Sequence, residues 1–247
     1  MKYQNTDRTV LRISGSDHLG FLNGLISNGL GKGAAYAAIL SPQGKYLFDF
    51  LLLPIDGAVL LDIKSDCAAD LSARLSMYKL RADVVIEDSK LNVIQGFDNM
   101  PEDAFLDPRT PDLGWRQYSD CEYDSLPVAM WDALRVKLVV PEIGVELIAN
   151  ESYILEAGFE RLNGVDFRKG CYVGQEITAR MKHKTELKKG LVKVSVDGNA
   201  VVGTPILADG KAAGTLFTVV DGVGLAHLRY DRATGDMNAD NAVVRRI

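Results

Sequence analysis

Eight consecutive residues, Lys169-Gly170-Cys171-Tyr172-Val173-Gly174-Gln175-Glu176, concentrate reactive and conformationally special side chains in one short stretch of a 247-residue chain. Cys171 can act as a nucleophile or metal ligand once it is a thiolate. A cation two residues away, Lys169, and a helix expected to begin just after the cysteine both favour that form. Gly170 and Gly174 remove side chains, so a ligand or a second chain segment can come close to the backbone. Glu176 and Arg180 are four residues apart with the acid first, the better order for a helical ion pair. Ile177 and Met181 then face the core. The same residues also support a second reading, a buried and inert cysteine between two turn glycines.

No familiar catalytic set completes itself around Cys171. A Cys–His pair needs a histidine within reach. His183 is twelve residues on, about three helical turns, so it points away along a continuous helix. Spacing does not place His18 or His227. No GxSxG, HExxH or Walker pattern and no calcium-loop spacing occurs. The three cysteines, Cys67, Cys121 and Cys171, are odd in number, widely spaced and form no CxxC. That argues against a disulfide scaffold and against a zinc or iron–sulfur site built by this chain alone, so no metal ligands are assigned. Trp131, on an expected helix, is either core or a flat wall for a planar ring.

The elements that must position these residues follow from periodicity. TVLRI (9–13) alternates as a strand, Ser14 to Asp17 offer a turn and an N-cap, and Leu19, Leu22, Leu25 and Ile26 follow at helical spacing. Residues 36–41 and 45–54 form a hairpin about Pro42-Gln43-Gly44, and Asp56-Gly57 turns the chain into a third strand. A helix is expected over 66–80, strands in DVVIED and KLNVIQGF, an irregular excursion over 98–124 with WRQY as a short strand, a helix over 125–140 ended by Pro141, and another over 151–161. From Leu187 onward short strands alternate with turns at Asp197-Gly198, Asp209-Gly210 and Asp221-Gly222, the pattern of a small barrel or sandwich. The expected plan is α+β for residues 1–185 and a small β domain, barrel or sandwich, for 186–247.

Composition limits the classes. The chain is 47% hydrophobic and 25% charged, with a net charge of −5, so no global positive field attracts nucleic acid. The run Arg180, Lys182, Lys184, Lys188, Lys189 and Lys193 reads as a solvated helix face leading into a strand. Direct nucleic-acid binding is not expected. MKYQNTDRTV lacks the apolar stretch of a secretory signal, and no apolar run reaches membrane-span length. The expectation is a cytoplasmic monomer without membrane contact.

KGCYVGQE resembles the signature of the YgfZ family, folate-binding-type proteins of iron–sulfur cluster assembly related to the glycine-cleavage T-protein, an aminomethyltransferase. VLRISGSDHLGFLNGLISN and AAILSPQGKYLFDFLLL resemble the family's N-terminal stretch and next hairpin, and EAGFERLNGVDFRKGCYVGQEITARM is similar almost throughout. The resemblance implies a T-protein-like folate-binding domain followed by a β-barrel, tetrahydrofolate or a related folate as ligand, and a role in making or repairing [4Fe–4S] clusters in client enzymes, tRNA-modifying ones included. Iron–sulfur client or assembly proteins are the implied partners. Cys171 is then the reactive thiol and Lys169 its activator. Trp131, Tyr172, Gly170, Gly174, Gln175, Glu176 and Arg180 are the implied ligand-binding positions.

Departures from the relatives carry information too. The Arg-Gly that often follows the signature helix is HKTELKKG here, Asn23 stands for a usual glutamine, and Arg8 stands for an aromatic residue. Where T-proteins carry Arg-Leu-Glu, with a pterin-binding carboxylate, this chain has Arg135-Val136-Lys137. Where they pair aspartates in the hairpin, it has Phe48-Asp49. A carboxylate accepts from the donors of an aminopyrimidine, and lysine cannot. These changes argue against the rival reading, a tetrahydrofolate-dependent aminomethyltransferase or demethylase. No enzymatic step follows from the sequence.

Overall fold

The computed structural model describes residues 1–184 and 186–247. Thr185, the last residue of the expected first domain, lies outside the described residues. By packing, the chain forms two compact units that are discontinuous in sequence: residues 1–126 with 159–176, and 127–158 with 177–247. A cut at residue 186 separates the barrel strands from what precedes them, whereas by packing the stretch 127–158 goes with the barrel.

The first unit contains β1 (Lys2–Gln4), β2 (Arg8–Ser14), α1 (His18–Asn23), β3 (Ala35–Leu40), β4 (Tyr46–Ile55), β5 (Ala58–Lys64), α2 (Ser65–Lys79), β6 (Val85–Asp88), β7 (Asn92–Gly96), β8 (Phe105–Leu106) and β9 (Trp115–Ser119). Two antiparallel sheets result, one in the order β3-β4-β5-β2-β6 and one in the order β1-β7-β9-β8. The period-2 geometry of a strand assigns the two faces of the larger sheet. Leu11, Ile13, Val59, Leu61 and Ile63 join a core with Leu22 of α1 and Leu71 and Leu75 of α2. Val10 and Leu60 point the other way and pack with Val93 of β7.

Charged residues also link the two sheets. Asp62 of β5 accepts from Arg8 Nε at 2.6 Å and from Arg116 Nη1 of β9 at 3.0 Å. Arg116 Nε reaches Asp107 at 3.0 Å, and Asp107 also accepts two bonds from the Arg109 guanidinium, at 2.9 and 2.7 Å, and one from its backbone N–H at 3.0 Å. Asp62, Asp107, Arg109 and Arg116 are all buried. Burial pushes the Asp107 carboxyl up, but Arg109 and Arg116 outweigh it and hold it far below the usual carboxylate range.

The second unit holds α3 (Val128–Leu138), most of α4 (Gln175–Lys184) and six strands: β10 (Lys189–Asp197), β11 (Pro205–Ala208), β12 (Lys211–Val220), β13 (Val223–Arg229), β14 (Met237–Ala239) and β15 (Ala242–Arg246). They close into an antiparallel barrel in the order β10-β13-β12-β11-β14-β15, so the expected small β-barrel is present. Val194, Ile206, Leu216, Leu228, Met237 and Val244 fill it. Asp209-Gly210 and Asp221-Gly222 have positive φ at both residues, as tight hairpin turns with the strands' own twist require. Among the described residues no helix is long and apolar enough to cross a membrane.

Three local expectations fail. Asp17 does not cap α1 with its side chain; its carboxylate accepts from the Asp83 backbone N–H instead, at 2.8 Å. Residues 125–127 stay outside α3, which starts after Pro127 and ends at Val139 in a left-handed conformation. Residues 151–161 form successive turns, not a helix. Buried Ile154, Leu155, Ala157, Phe159 and Leu162 imitate helical spacing, but the backbone takes positive φ at Asn150, Gly158 and Asn163.

Candidate functional site

The loop from Gly164 to Gly174 is tied to the rest of the first unit at each end. At its start, Ser27 Oγ donates to the Gly164 carbonyl at 2.6 Å and accepts from Ala38 N–H of β3 at 2.8 Å. Asn28 Nδ2 donates to the Asn163 and Tyr36 carbonyls. At the far end Gly174 has φ +81°, and a Cβ there would lie 2.6 Å from the Ser41 carbonyl oxygen and 2.9 Å from Leu40 Cβ. Only glycine permits both that conformation and that approach to the β3–β4 turn. Val173 packs on the first unit's main core.

Lys169 lies between these anchors. Its Nζ donates to the backbone carbonyls of Asn23 at 2.9 Å, Ile26 at 2.6 Å and Asn28 at 3.2 Å. Those three bonds take up the three donors of an ammonium. The ammonium also sits 5.1 Å from the ring centroid of Tyr172, which is buried. Burial lowers its pKa to about 8, with Asp166 acting in the opposite direction. The lysine therefore joins the signature loop to the end of α1 and the chain that follows it.

Cys171 stands above this framework, exposed and free, as does Gly170 beside it. A Cβ at Gly170 would meet nothing within 4 Å. The two glycines thus differ: Gly174 admits another segment of this chain, and Gly170 faces open space. Gln175 opens α4, and its N–H closes a turn on the Tyr172 carbonyl at 3.2 Å. Glu176 and Arg180 lie one turn apart on α4, both exposed. Cys67 and Cys121 are also free; burial raises the Cys67 thiol, with Asp49 adding to the rise.

Trp131 belongs to the second unit, on α3. Its indole N–H donates to Glu142 Oε2 at 3.1 Å, and the side chain is half-buried. Glu142 carries no signal in the sequence that would single it out. Four residues after Trp131, Arg135 is buried. It donates to Glu146 at 2.8 Å, to Asp132 at 2.7 Å and to the Thr218 hydroxyl of β12. Lys137 is exposed. Asp49, the one hairpin aspartate, is buried and accepts from the hydroxyls of Tyr46 at 2.6 Å and Tyr36 at 2.9 Å, one on each oxygen. Of the histidines, His18 Nδ1 lies 2.6 Å from the Gly15 carbonyl and His227 Nε2 lies 3.3 Å from Glu156. Among the described residues no group of three or more His, Cys, Asp or Glu side chains is placed to hold a metal ion.

Comparison with known proteins adds three findings. Residues 188–246 match the model of the CAF17 C-terminal β-barrel domain. The whole chain superimposes on the glycine cleavage system aminomethyltransferase T from Bartonella henselae with a TM-score of 0.78, covering 100% of this chain and 84% of that one. At 10% identity that likeness shows the fold, and the fold is the T-protein-like one that the resemblance implies. The mitochondrial iron–sulfur cluster assembly factor IBA57 of Mus musculus is 30% identical over 281 residues, spanning 94% of this chain and 78% of that protein. Its Homo sapiens counterpart is 29% identical over 277 residues with the same coverage. A likeness that runs through nearly all of this chain and most of the mouse protein extends well beyond the barrel and the signature loop: the chain belongs to the family of the iron–sulfur cluster assembly factor IBA57.

Proposed function

We propose that this protein serves the assembly or repair of [4Fe–4S] clusters in client enzymes, with Cys171 as the thiol that meets the cluster or its iron, and that it acts in the YgfZ manner with tRNA-modifying enzymes among its clients. The observation that carries the reading is an exposed thiol on a loop held from both ends and from beneath by Lys169. Relatives named as iron–sulfur cluster assembly factors support it. One thiol is too few to hold a cluster, so the remaining ligands come from a partner protein or small thiols. Cys171→Ser should leave the circular dichroism spectrum and melting temperature unchanged and abolish maturation of a [4Fe–4S] enzyme in cells that depend on this protein. Full client activity from that variant would overturn the proposal.

Tetrahydrofolate belongs to the same proposal. Asp49 does not fit a pterin, because both its oxygens are on tyrosine hydroxyls, and Lys137 offers no acceptor. Trp131 and Glu142 do fit: the indole N–H on Glu142 puts an aromatic ring and a carboxylate next to each other, and a carboxylate accepts from aminopyrimidine donors. The other tryptophan, Trp115, is buried with its N–H on the Asp98 carbonyl. Saturable quenching of tryptophan fluorescence by tetrahydrofolate under anaerobic conditions, lost in Trp131→Phe, is the expected result. Quenching that persists in that variant would remove Trp131 from the site.

A further inference from the structure

Within the second unit, the segment from Glu146 to Ala157 and the outer face of the barrel leave a cavity of about 210 Å³. Strand register builds one wall: His227 of β13 lies directly opposite Leu191 of β10 and Thr215 of β12. Phe217, two residues on along β12, lines the same cavity. The opposite wall carries Glu156, whose side chain is 11% exposed. Glu156 Oε2 lies 3.4 Å from Lys189 Nζ and 3.3 Å from His227 Nε2. Both distances exceed the ~2.7–2.9 Å of a well-made charge-assisted hydrogen bond. Glu156 Oε1 has no partner among the described residues.

Glu146, a second acid of the cavity, is buried and engaged on both oxygens by Arg135 and Thr218. It belongs to the framework. Glu156, Lys189 and His227 form a loose set by comparison, and none of them takes part in anchoring the Cys171 loop. Burial pushes the Glu156 carboxyl up, and His227 and Lys189 bring it below its ordinary value, so it is anionic at neutral pH.

The charge pattern selects a ligand class. Lys189 opposes a simple metal cation, and Glu156 opposes a simple anion. A molecule carrying both charges satisfies both ends, and Leu191 with Phe217 offers apolar surface to the rest of it. The volume is below the roughly 300–1,000 Å³ of drug-sized sites, which suits a molecule the size of an amino acid. We propose that this cavity binds a free α-amino acid with an apolar side chain, its ammonium on Glu156, its carboxylate on Lys189 and His227, and its side chain against Leu191 and Phe217.

Isothermal titration of the full-length protein with leucine and phenylalanine tests this, with N-acetyl-leucine and leucinamide as probes that each lack one charge. The expected result is saturable binding of at least one free amino acid and at least tenfold weaker binding of leucinamide and N-acetyl-leucine. Glu156→Gln should abolish discrimination against N-acetyl-leucine. Lys189→Met alters a partly exposed side chain and serves as the second variant should Glu156→Gln fold poorly; it should erase the discrimination against leucinamide. Absence of binding by either amino acid, N-acetyl-leucine binding as tightly as leucine, or binding indifferent to both substitutions would overturn the proposal.

Discussion

Lys169 and Gly174 hold the signature loop by different means, and their substitution should separate anchoring from chemistry. Lys169→Met leaves three buried-side carbonyls without their donor. A hydrogen bond to a charged group contributes ~1.5–3 kcal/mol, so a loss of at least that size in urea denaturation is expected. Client maturation should fall with it although Cys171 is untouched. Gly174→Ala combines positive φ with a clash against Ser41 and should cost at least ~1–2 kcal/mol from the backbone alone. Gly170→Ala meets open space and should change stability by less than ~0.5 kcal/mol. Equal losses at the two glycines would contradict this account. Much of this was not legible in the sequence. The spacing of Lys169 and Cys171 suggests a cation serving a thiolate, whereas the carbonyls that receive its protons lie more than 140 residues earlier in the chain. No local pattern signals such a partner. Asn23 and Asn28 contribute backbone oxygens, which side-chain reading does not reveal.

Elements whose signals are local were legible. The hairpins follow from Asp-Gly and Pro-Gln-Gly turns between alternating strands, and α2 from its buried Leu71 and Leu75. Residues 151–161 imitate a helix because their turns bury apolar side chains at intervals of one to three residues, which resembles a helix when only spacing is visible. The clamp between the two sheets was likewise hidden, since Arg8, Asp62, the local pair Asp107–Arg109 and Arg116 come from four places in the chain. That clamp sets a pH dependence. Asp107 titrates lower in the folded state than its unfolded value of ~3.9, so its contribution is complete above that value and is lost as pH falls below it. Stability followed by chemical denaturation should drop steeply below about pH 4. Asp107→Asn should lower stability at pH 7 and flatten that acid limb. An unchanged acid limb would place the pH sensitivity elsewhere.

At the scale of the molecule, the barrel closes on itself yet packs with residues from far upstream. α3 lies against β12 and β13. Thr218 of β12 is bonded to Arg135 and Glu146, and Leu191 N–H of β10 donates to the Glu156 carbonyl at 2.7 Å. A fragment of residues 186–247 lacks all of these partners. Amide exchange in β12 and β13 should be faster in that fragment than in the full chain, and equal protection would show the barrel to be self-sufficient. A small β domain was legible as a row of short strands and turns, and its closure into a barrel was implied by the family resemblance. Its dependence on 127–158 was not, because a break in pattern near residue 186 records a change of element type and says nothing about which segments pack together.

The chain enters the first unit, leaves it after Leu126, and returns only for Phe159–Glu176. On a ribosome this sets an order of events. The two sheets can be fully synthesised while the carbonyls of Asn23, Ile26 and Asn28 still await the one ammonium that joins them. The segment that brings the ammonium also brings Cys171, two residues later. The thiol therefore becomes presentable only as the first unit is completed, and an unfinished chain has no anchored sulfur to present.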